Sequence, residues 1–318
     1  MQDKILGILK KRQGYISGEE ISSRLKITRQ ALWKHIENLR VAGYDIAAVP
    51  HLGYQLVSSP DRLFPFEVTH GLNTKLIGKS ISYFDTLPST MDIALQLALR
   101  GSGEGTIILA ESQGKGRGRF NREWFSPKYK GIYLSLILRP KIAPNSTPIL
   151  TLLAAVSISE AIKEVTGIEA RIKWPNDILI HNKKLGGILT ELNARMNITH
   201  FVIIGIGLNV NNDKKSLVAG ATSLKEQKKE EINRVELLQE ILRRIEINYI
   251  LFQNRSFEAI LDKWRRCNVT LGKRVRIALG ENSFEGEALD IDNDGALLLR
   301  GDSGLVQKVT SADTVHCR

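Results

Sequence analysis

A chain of 318 residues is long enough for two or three compact domains, and 42% hydrophobic with 25% charged residues excludes a disordered or fibrous polypeptide. The net charge of +11 calls for an anionic partner, whether nucleic acid, nucleotide phosphate or an acidic protein. Cys267 and Cys317 lie far apart and outside any CxxC spacing, so neither a disulfide framework nor a zinc site is expected, and a reducing cytoplasm fits.

At the start of the chain, Ile5, Leu6, Ile8 and Leu9 recur at helical spacing with no small-residue cleavage site after them, so a helix is predicted and a signal peptide is not. Ser17, three residues ahead of Glu20, forms a capping box that opens a second helix carrying Ile21 and Leu25. Thr28 caps a third, whose buried stripe is Leu32, Ile36 and Leu39, with Arg29, Gln30, Trp33, Lys34 and Glu37 largely off it; Gly43 ends it. The β-like runs Asp45 to Val49 and Tyr54 to Val57 join through Pro50, His51, Leu52 and Gly53 as a hairpin. Three helices and a hairpin predict a winged helix-turn-helix over residues 1–58, and the serines and prolines that follow predict a linker over 59–66.

Residues 67–267 mix strands (Thr106 to Ala110, Ile132 to Leu138, Phe201 to Ile206) with helices (Thr147 to Val165, Val235 to Phe252). Their alternation is irregular, which predicts a mixed-sheet α+β domain rather than a doubly wound one. The apolar run from Phe201 to Val210 is too short and too glycine-broken to cross a bilayer, so no membrane partner is expected. Lys214 to Glu231 is polar enough to be a mobile connection. Residues 268–318 carry closely spaced short strands, Arg274 to Leu279, Phe284 to Asp290, Ala296 to Arg300 and Leu305 to Val309, with a turn at Asn293, Asp294 and Gly295; a small β-barrel is predicted.

Four stretches carry chemistry. Gly114 to Arg122 interleaves three glycines with four cations; glycine permits close backbone approach and arginine supplies forked donors, so the loop can wrap an anion, or be a solvated basic loop or an RNA-contacting tract. Trp124-Phe125-Ser126-Pro127 places an indole beside it that can stack on a purine or pack in a core. Lys173-Trp174-Pro175-Asn176-Asp177 sets a cation, an amide and a carboxylate on a proline-fixed turn, which taken singly is no more than a turn. Lys184-Leu185-Gly186-Gly187-Ile188-Leu189 opens a strand with a lysine ahead of two glycines that leave room for a ligand.

In this order, and with Phe84-Asp85 before them and Gly205-Ile206-Gly207-Leu208-Asn209 after, these stretches resemble the biotin protein ligase family. With its terminal domains the whole chain is similar to the bifunctional subgroup that also represses the biotin operon, and the resemblance makes the C-terminal barrel SH3-like. It implies that biotin and ATP, with Mg2+, form biotinyl-5′-AMP. The biotin then passes to a lysine of the biotin carboxyl carrier protein of acetyl-CoA carboxylase and of other biotin-dependent enzymes. It further implies operator DNA as a partner, the adenylate as corepressor, and a ligand-promoted homodimer.

Position by position, the resemblance assigns Ser89 and Thr90 to the biotin ureido group, although both also suit a helix N-cap. Gln113, Arg117, Gly118 and Arg119 match the biotin and adenylate loop, Trp124 the adenine neighbour, Lys173 and Asn176 the adenylate-facing turn, and Asn209 a nucleotide contact. Lys184 matches the lysine at the biotin carboxylate and Asp177 the carboxylate that orients the acceptor lysine; with Arg119 they are the implied catalytic residues. Met91 and Gly186 depart from the pattern, where many relatives carry asparagine and some alanine. No metal-ligand cluster is read. Gly114 to Arg122 is expected to close over the adenylate, which water would otherwise destroy.

For DNA, Arg29, Gln30 and Lys34 are the candidate major-groove contacts and His51 a phosphate contact at the wing. Nine basic against five acidic residues give the first 60 residues a charge of +4. Two other functions fit some of these features: a ligand-sensing transcription factor without turnover, and a lipoate-type ligase of similar fold.

Overall fold

In residues 1–62, helices form where the sequence supplies both an apolar stripe and a cap. They are α1 (Gln2–Lys10), α2 (Gly18–Leu25) and α3 (Arg29–Val41). Ser17 Oγ accepts from the Glu20 N–H and Thr28 Oγ1 from the Ala31 N–H, both at 3.1 Å, each worth about 1 kcal/mol. Ile5, Leu6, Leu9, Ile21, Leu32, Ile36 and Leu39 are buried together. Strands β1 (Asp45–Val49) and β2 (Gly53–Ser58) pair antiparallel, and Tyr54 exchanges two 2.9 Å backbone bonds with Ile16. Gly53 is required there: its φ is +105° and a Cβ would collide with the Ile16 carbonyl. The unit is the winged helix-turn-helix expected from its sequence.

A computed structural model describes residues 1–279, 282–312 and 314–317; the side chains of Asn121, Leu279, Asn282, Thr314, His316 and Cys317 lie outside that description. The chain divides into two units, Met1–Arg62 and Leu63–Arg318.

The second unit contains, in order, α4 (Pro65–Thr69), β3 (Ile81–Phe84), α5 (Thr90–Leu99), β4 (Ile107–Ala110), β5 (Gly131–Leu138), α6 (Pro148–Thr166), β6 (Arg171–Lys173), β7 (Asp177–Ile180), β8 (Lys183–Arg195), β9 (Ile198–Asn209), α7 (Leu224–Lys228), α8 (Arg234–Gln253) and α9 (Phe257–Cys267). Its main sheet runs β3-β4-β5-β9-β8-β7-β6, parallel between β3 and β4 and antiparallel elsewhere, so it is the mixed sheet predicted. α6 is apolar nearly all round and is buried between the sheet and helices α8 and α9. Strand alternation then separates two cores. Ile107, Leu134, Leu136, Ile206 and Leu208 face α6 and α8, while Ile108, Ile137, Phe201 and Ile203 face α5.

Two buried carboxylates fasten the chain to this frame. Glu246 on α8 accepts from the N–H groups of Lys75, Leu76 and Ile77 at 2.7, 2.7 and 2.9 Å. Burial opposes its charge, but those three donors outweigh it and hold the carboxyl below its ordinary range. Glu111 and Arg234, both fully buried, pair at 2.7 Å; Glu111 also accepts from the Leu63 N–H and Arg234 donates to the Gly131 carbonyl.

Lys214 to Glu231 is more than the mobile connection its composition suggested. Ser223 caps α7 through the Glu226 N–H, Lys225 pairs with Asp213 and Glu231, and Thr222, Ser223 and Leu224 are fully buried. Its charges pair with one another, which a composition count does not register.

The C-terminal strands are β10 (Arg274–Leu279), β11 (Asn282–Ile291), β12 (Leu297–Arg300), β13 (Val306–Val309) and β14 (Thr314–Cys317), antiparallel in the order β13-β12-β11-β10-β14. They make the small SH3-like sheet domain expected. Its turn at Asn293 to Gly295 docks on the mixed-sheet domain: Trp174 Nε1 donates to the Gly295 carbonyl at 3.2 Å, and Ser146 Oγ to Asp294 at 2.8 Å.

Candidate active site

The α5 face of the main sheet carries a floor without side chains. Gly187 on β8 pairs with Gly207 on β9, and Gly205 lies two residues along the same face. A Cβ at Gly205 would meet Met91 Sδ at 2.6 Å, and one at Gly207 would run into the Trp124 indole. The absent side chains leave a cavity of about 830 Å³ above the floor, within the range of small-molecule and cofactor sites. Trp124 lies along one wall, its indole N–H buried without an acceptor among the described residues and its ring 5.8 Å from Lys184 Nζ.

At one end a hydrogen-bond chain is set by the start of α5. Ser135 Oγ donates to Thr90 Oγ1 at 2.9 Å, and both the Thr90 hydroxyl and its N–H donate to Gln113 Oε1. Gln113 Nε2 in turn donates to Ser126 Oγ at 2.9 Å. Ser89 is placed differently. It precedes α5 and is buried, its hydroxyl has no hydrogen-bond partner among the described residues, and it does not line the cavity.

The other end is cationic. Lys184 Nζ pairs with Asp177 Oδ1 at 2.5 Å across the β7–β8 ladder. Lys173 lines the cavity, and its ammonium makes no hydrogen bond or ion pair among the described residues. Arg119 Nη2 donates to Ser311 Oγ at 2.7 Å and Nη1 makes a long 3.5 Å contact with Asn176, whose amide donates to the Ile188 carbonyl. Arg117 is held by Asp92 at 2.9 Å and Glu191 at 3.1 Å. Asn209 is buried and donates to the Thr222 carbonyl at 3.1 Å.

Of the residues singled out in the sequence, Thr90, Gln113, Arg117, Gly118, Arg119, Trp124, Lys173, Asn176, Asp177, Lys184 and Asn209 all line this one cavity. Two groups escaped the sequence reading. Ser216 to Ala221 form a wall, pinned beside Lys184 by its N–H to the Gly220 carbonyl at 2.8 Å and its carbonyl to the Thr222 N–H at 2.9 Å. Ala312, from the connection between β13 and β14, and Val315 on β14 come from the C-terminal domain. Small residues at Ala219, Gly220 and Ala221 are the only sequence sign of the first group. No group of three or more His, Cys, Asp or Glu side chains among the described residues is placed to hold a metal ion.

In the first unit, Arg29, Gln30, Trp33 and Lys34 are exposed along α3, with Arg29 paired to Glu19 at 2.7 Å. Trp33 is 56% exposed. No helix among the described residues is long and apolar enough to cross a membrane.

Comparison with known proteins agrees with this layout. Residues 2–55 match a helix-turn-helix domain, 83–209 the biotin/lipoate A/B protein ligase family, and 270–316 the biotin protein ligase C-terminal domain. Together they define the class: a protein-ligase core set between a helix-turn-helix and a ligase C-terminal domain. The bifunctional ligase/repressor BirA of Bacillus subtilis is 43% identical over 303 residues, 94% of this chain and 93% of the relative. The protein of the same description from Escherichia coli K12 is 30% identical over 90% of this chain and 88% of its own. A biotin protein ligase from Aquifex aeolicus, solved in complex with biotin and ATP, superposes with a TM-score of 0.65 at 30% identity, covering 76% of this chain and all of that one. This chain belongs to the biotin/lipoate A/B protein ligase family, as a biotin protein ligase with a repressor-type helix-turn-helix domain.

Proposed function

We propose that the cavity joins biotin to ATP as biotinyl-5′-AMP and passes the biotinyl group to a lysine of biotin carboxyl carrier protein. One observation carries this reading: Lys173, Lys184 and Arg119 converge over a glycine floor, beside an indole and a carboxylate. In the first half-reaction a biotin carboxylate oxygen attacks the α-phosphorus and pyrophosphate leaves. Two anions must approach, so fixed cations that offset their repulsion lower the barrier. In the second, the acceptor amine attacks the acyl carbonyl and AMP leaves.

The Lys184–Asp177 pair fits both steps. An incoming anion competes with Asp177 for Lys184, and an Asp177 released from Lys184 is placed to hold the acceptor amine. Thr90, Gln113 and Ser126 offer a polar lining for the ureido ring, and Trp124 a face for adenine. Ser89 is proposed as the orphaned donor that a ureido oxygen would satisfy after a small movement. Magnesium would accompany ATP as the counterion of its phosphates.

The adenylate is proposed to act also as corepressor, with a ligand-promoted homodimer binding operator DNA through Arg29, Gln30 and Lys34 on α3, in the cytoplasm. The relatives described as bifunctional ligase/repressors support this part. A sensor without turnover would have no use for Asp177 beside Lys184. The test is mass gain on an acceptor: purified protein with biotin, ATP and carrier domain should add one biotinyl group to one lysine. An unmodified carrier, with biotin bound, would favour the sensor.

A further inference from the structure

Of the four tryptophans in the chain, Trp174 and Trp264 are buried in the core and Trp124 lines the cavity. Trp33 has neither role. It lies on α3, is 56% exposed, and its ring and indole N–H have no hydrogen-bond, ring or cation partner among the described residues.

Its neighbours on the helix give that exposure a direction. Residues three, four and seven positions apart share one face of an α-helix, so Gln30, Trp33, Lys34 and Glu37 stand together while Leu32, Ile36 and Leu39 turn into the core. The same spacing brings side chains of a recognition helix to base edges in the major groove. Glu37, the only acid on α3, is held by Arg40 at 2.6 Å, and Arg40 also donates to the Ile46 carbonyl. Lys34 is exposed and makes no hydrogen bond or ion pair among the described residues. Helix side chains lean toward the N-terminus, which carries the indole over the turn of Arg29 and Gln30, and the N-terminal residues of such a helix are those that contact bases.

In the major groove the base edges present donors, acceptors and one apolar group, the 5-methyl of thymine. Gln30 and Lys34 suit the donors and acceptors. An indole neutralises no phosphate, so it adds nothing to the charge-driven part of binding; against a thymine methyl it removes apolar surface from water on both partners. The cations Arg29 and Lys34 on the same helix favour duplex DNA over an apolar protein surface as the occupant of this face.

We propose that Trp33 is a specificity-determining residue of the helix-turn-helix unit: its ring covers a thymine 5-methyl group beside the bases met by Gln30 and Lys34, so that each half-site carries a thymine the protein selects. This rests on the DNA-binding reading of α3 and adds to it the base that the helix reads.

The experiment uses the full chain with biotin and ATP. A site is selected from a pool of random duplexes, and each of its thymines is then replaced in turn by deoxyuridine, which lacks only the methyl group. The native protein should bind about 3- to 10-fold more weakly when one particular thymine is replaced in both half-sites, the loss expected for a buried methyl. Trp33→Ala should bind the unmodified site at least that much more weakly and respond to the same replacement by less than about 1.5-fold, because the methyl has lost its partner. Trp33→Phe should fall between the two. The slope of log affinity against log salt should be the same in all three proteins. The proposal is overturned if no uracil weakens native binding, or if Trp33→Ala keeps the native response to uracil. It is also overturned if Trp33→Ala loses equally on random DNA, which marks a ring resting on the sugar–phosphate backbone, or if the variant fails to dimerise with ligand where the native chain does, which marks a protein contact. A native protein that selects no sequence would remove the DNA-binding reading and Trp33's role with it, leaving the ligase reading to the carrier assay.

Discussion

Gly207→Ala probes the floor of the cavity. A Cβ there would fall inside the Trp124 indole, against Nε1, Cε2 and Cδ1, with the rigid β9 backbone behind it. The ring must leave its seat, since overpacking of this kind costs about 1–3 kcal/mol if nothing yields. If Trp124 carries the adenine, its displacement forfeits a base–aromatic stack worth about 1–3 kcal/mol, or a roughly 5- to 150-fold rise in the KM for ATP. Gly186→Ala is the control. Its Cβ would meet Leu208 Cδ1 at 2.9 Å, the movable end of a side chain, and the Gly207 carbonyl at 3.0 Å. That substitution should cost under about 1.5 kcal/mol of stability and little activity. ATP is titrated at saturating biotin by pyrophosphate exchange, with thermal unfolding as a check on folding. An unchanged KM for ATP in Gly207→Ala, or an equal rise in Gly186→Ala, refutes the assignment of Trp124.

Asp177→Ala should slow acyl transfer from preformed adenylate by about 10²- to 10⁴-fold, more than it slows pyrophosphate exchange; equal losses would remove Asp177 from the second step. Glu111→Gln removes the 2.7 Å ion pair that this carboxylate makes with the buried Arg234 guanidinium and should cost about 3–5 kcal/mol in urea unfolding, partly recovered when Arg234→Met is added. Glu246 has a depressed carboxyl pKa, so its contribution is present above the unfolded value of about 4.3 and is lost as pH falls through the folded value. Glu246→Gln should therefore lower Tm at neutral pH and narrow its gap to native protein in acid; a pH-independent gap would contradict this. Lys34→Ala should weaken operator binding by about 1–3 kcal/mol and relax the preference for operator over other DNA; an equal loss on every DNA sequence would take Lys34 off the base edges.

Local features were legible where the physics is local. Ser17 and Thr28 announce α2 and α3 because a cap acts within three residues, and short, nearly continuous apolar runs set β4, β5 and β9. The motif stretches could be named because each gathers its glycines and charges within a few positions, yet their convergence depends on β9 lying between β5 and β8, a non-local pairing that no window reveals. Partners were the harder part. Arg117 looks like a free cation until α5 and β8 bring Asp92 and Glu191 to it, and Arg119 meets Ser311 from 192 residues away. Ser216 to Ala221 carry no charged or aromatic signal, so only their position beside Lys184 marks them as part of the wall.

The most direct measurement supplies radiolabelled pyrophosphate and ATP to the purified protein with either biotin or lipoate, and no acceptor. Label should enter ATP when biotin is present and stay at background with lipoate or with neither acid. Exchange without any acid, exchange favouring lipoate, or none under any condition would contradict a cavity built to form biotinyl-adenylate.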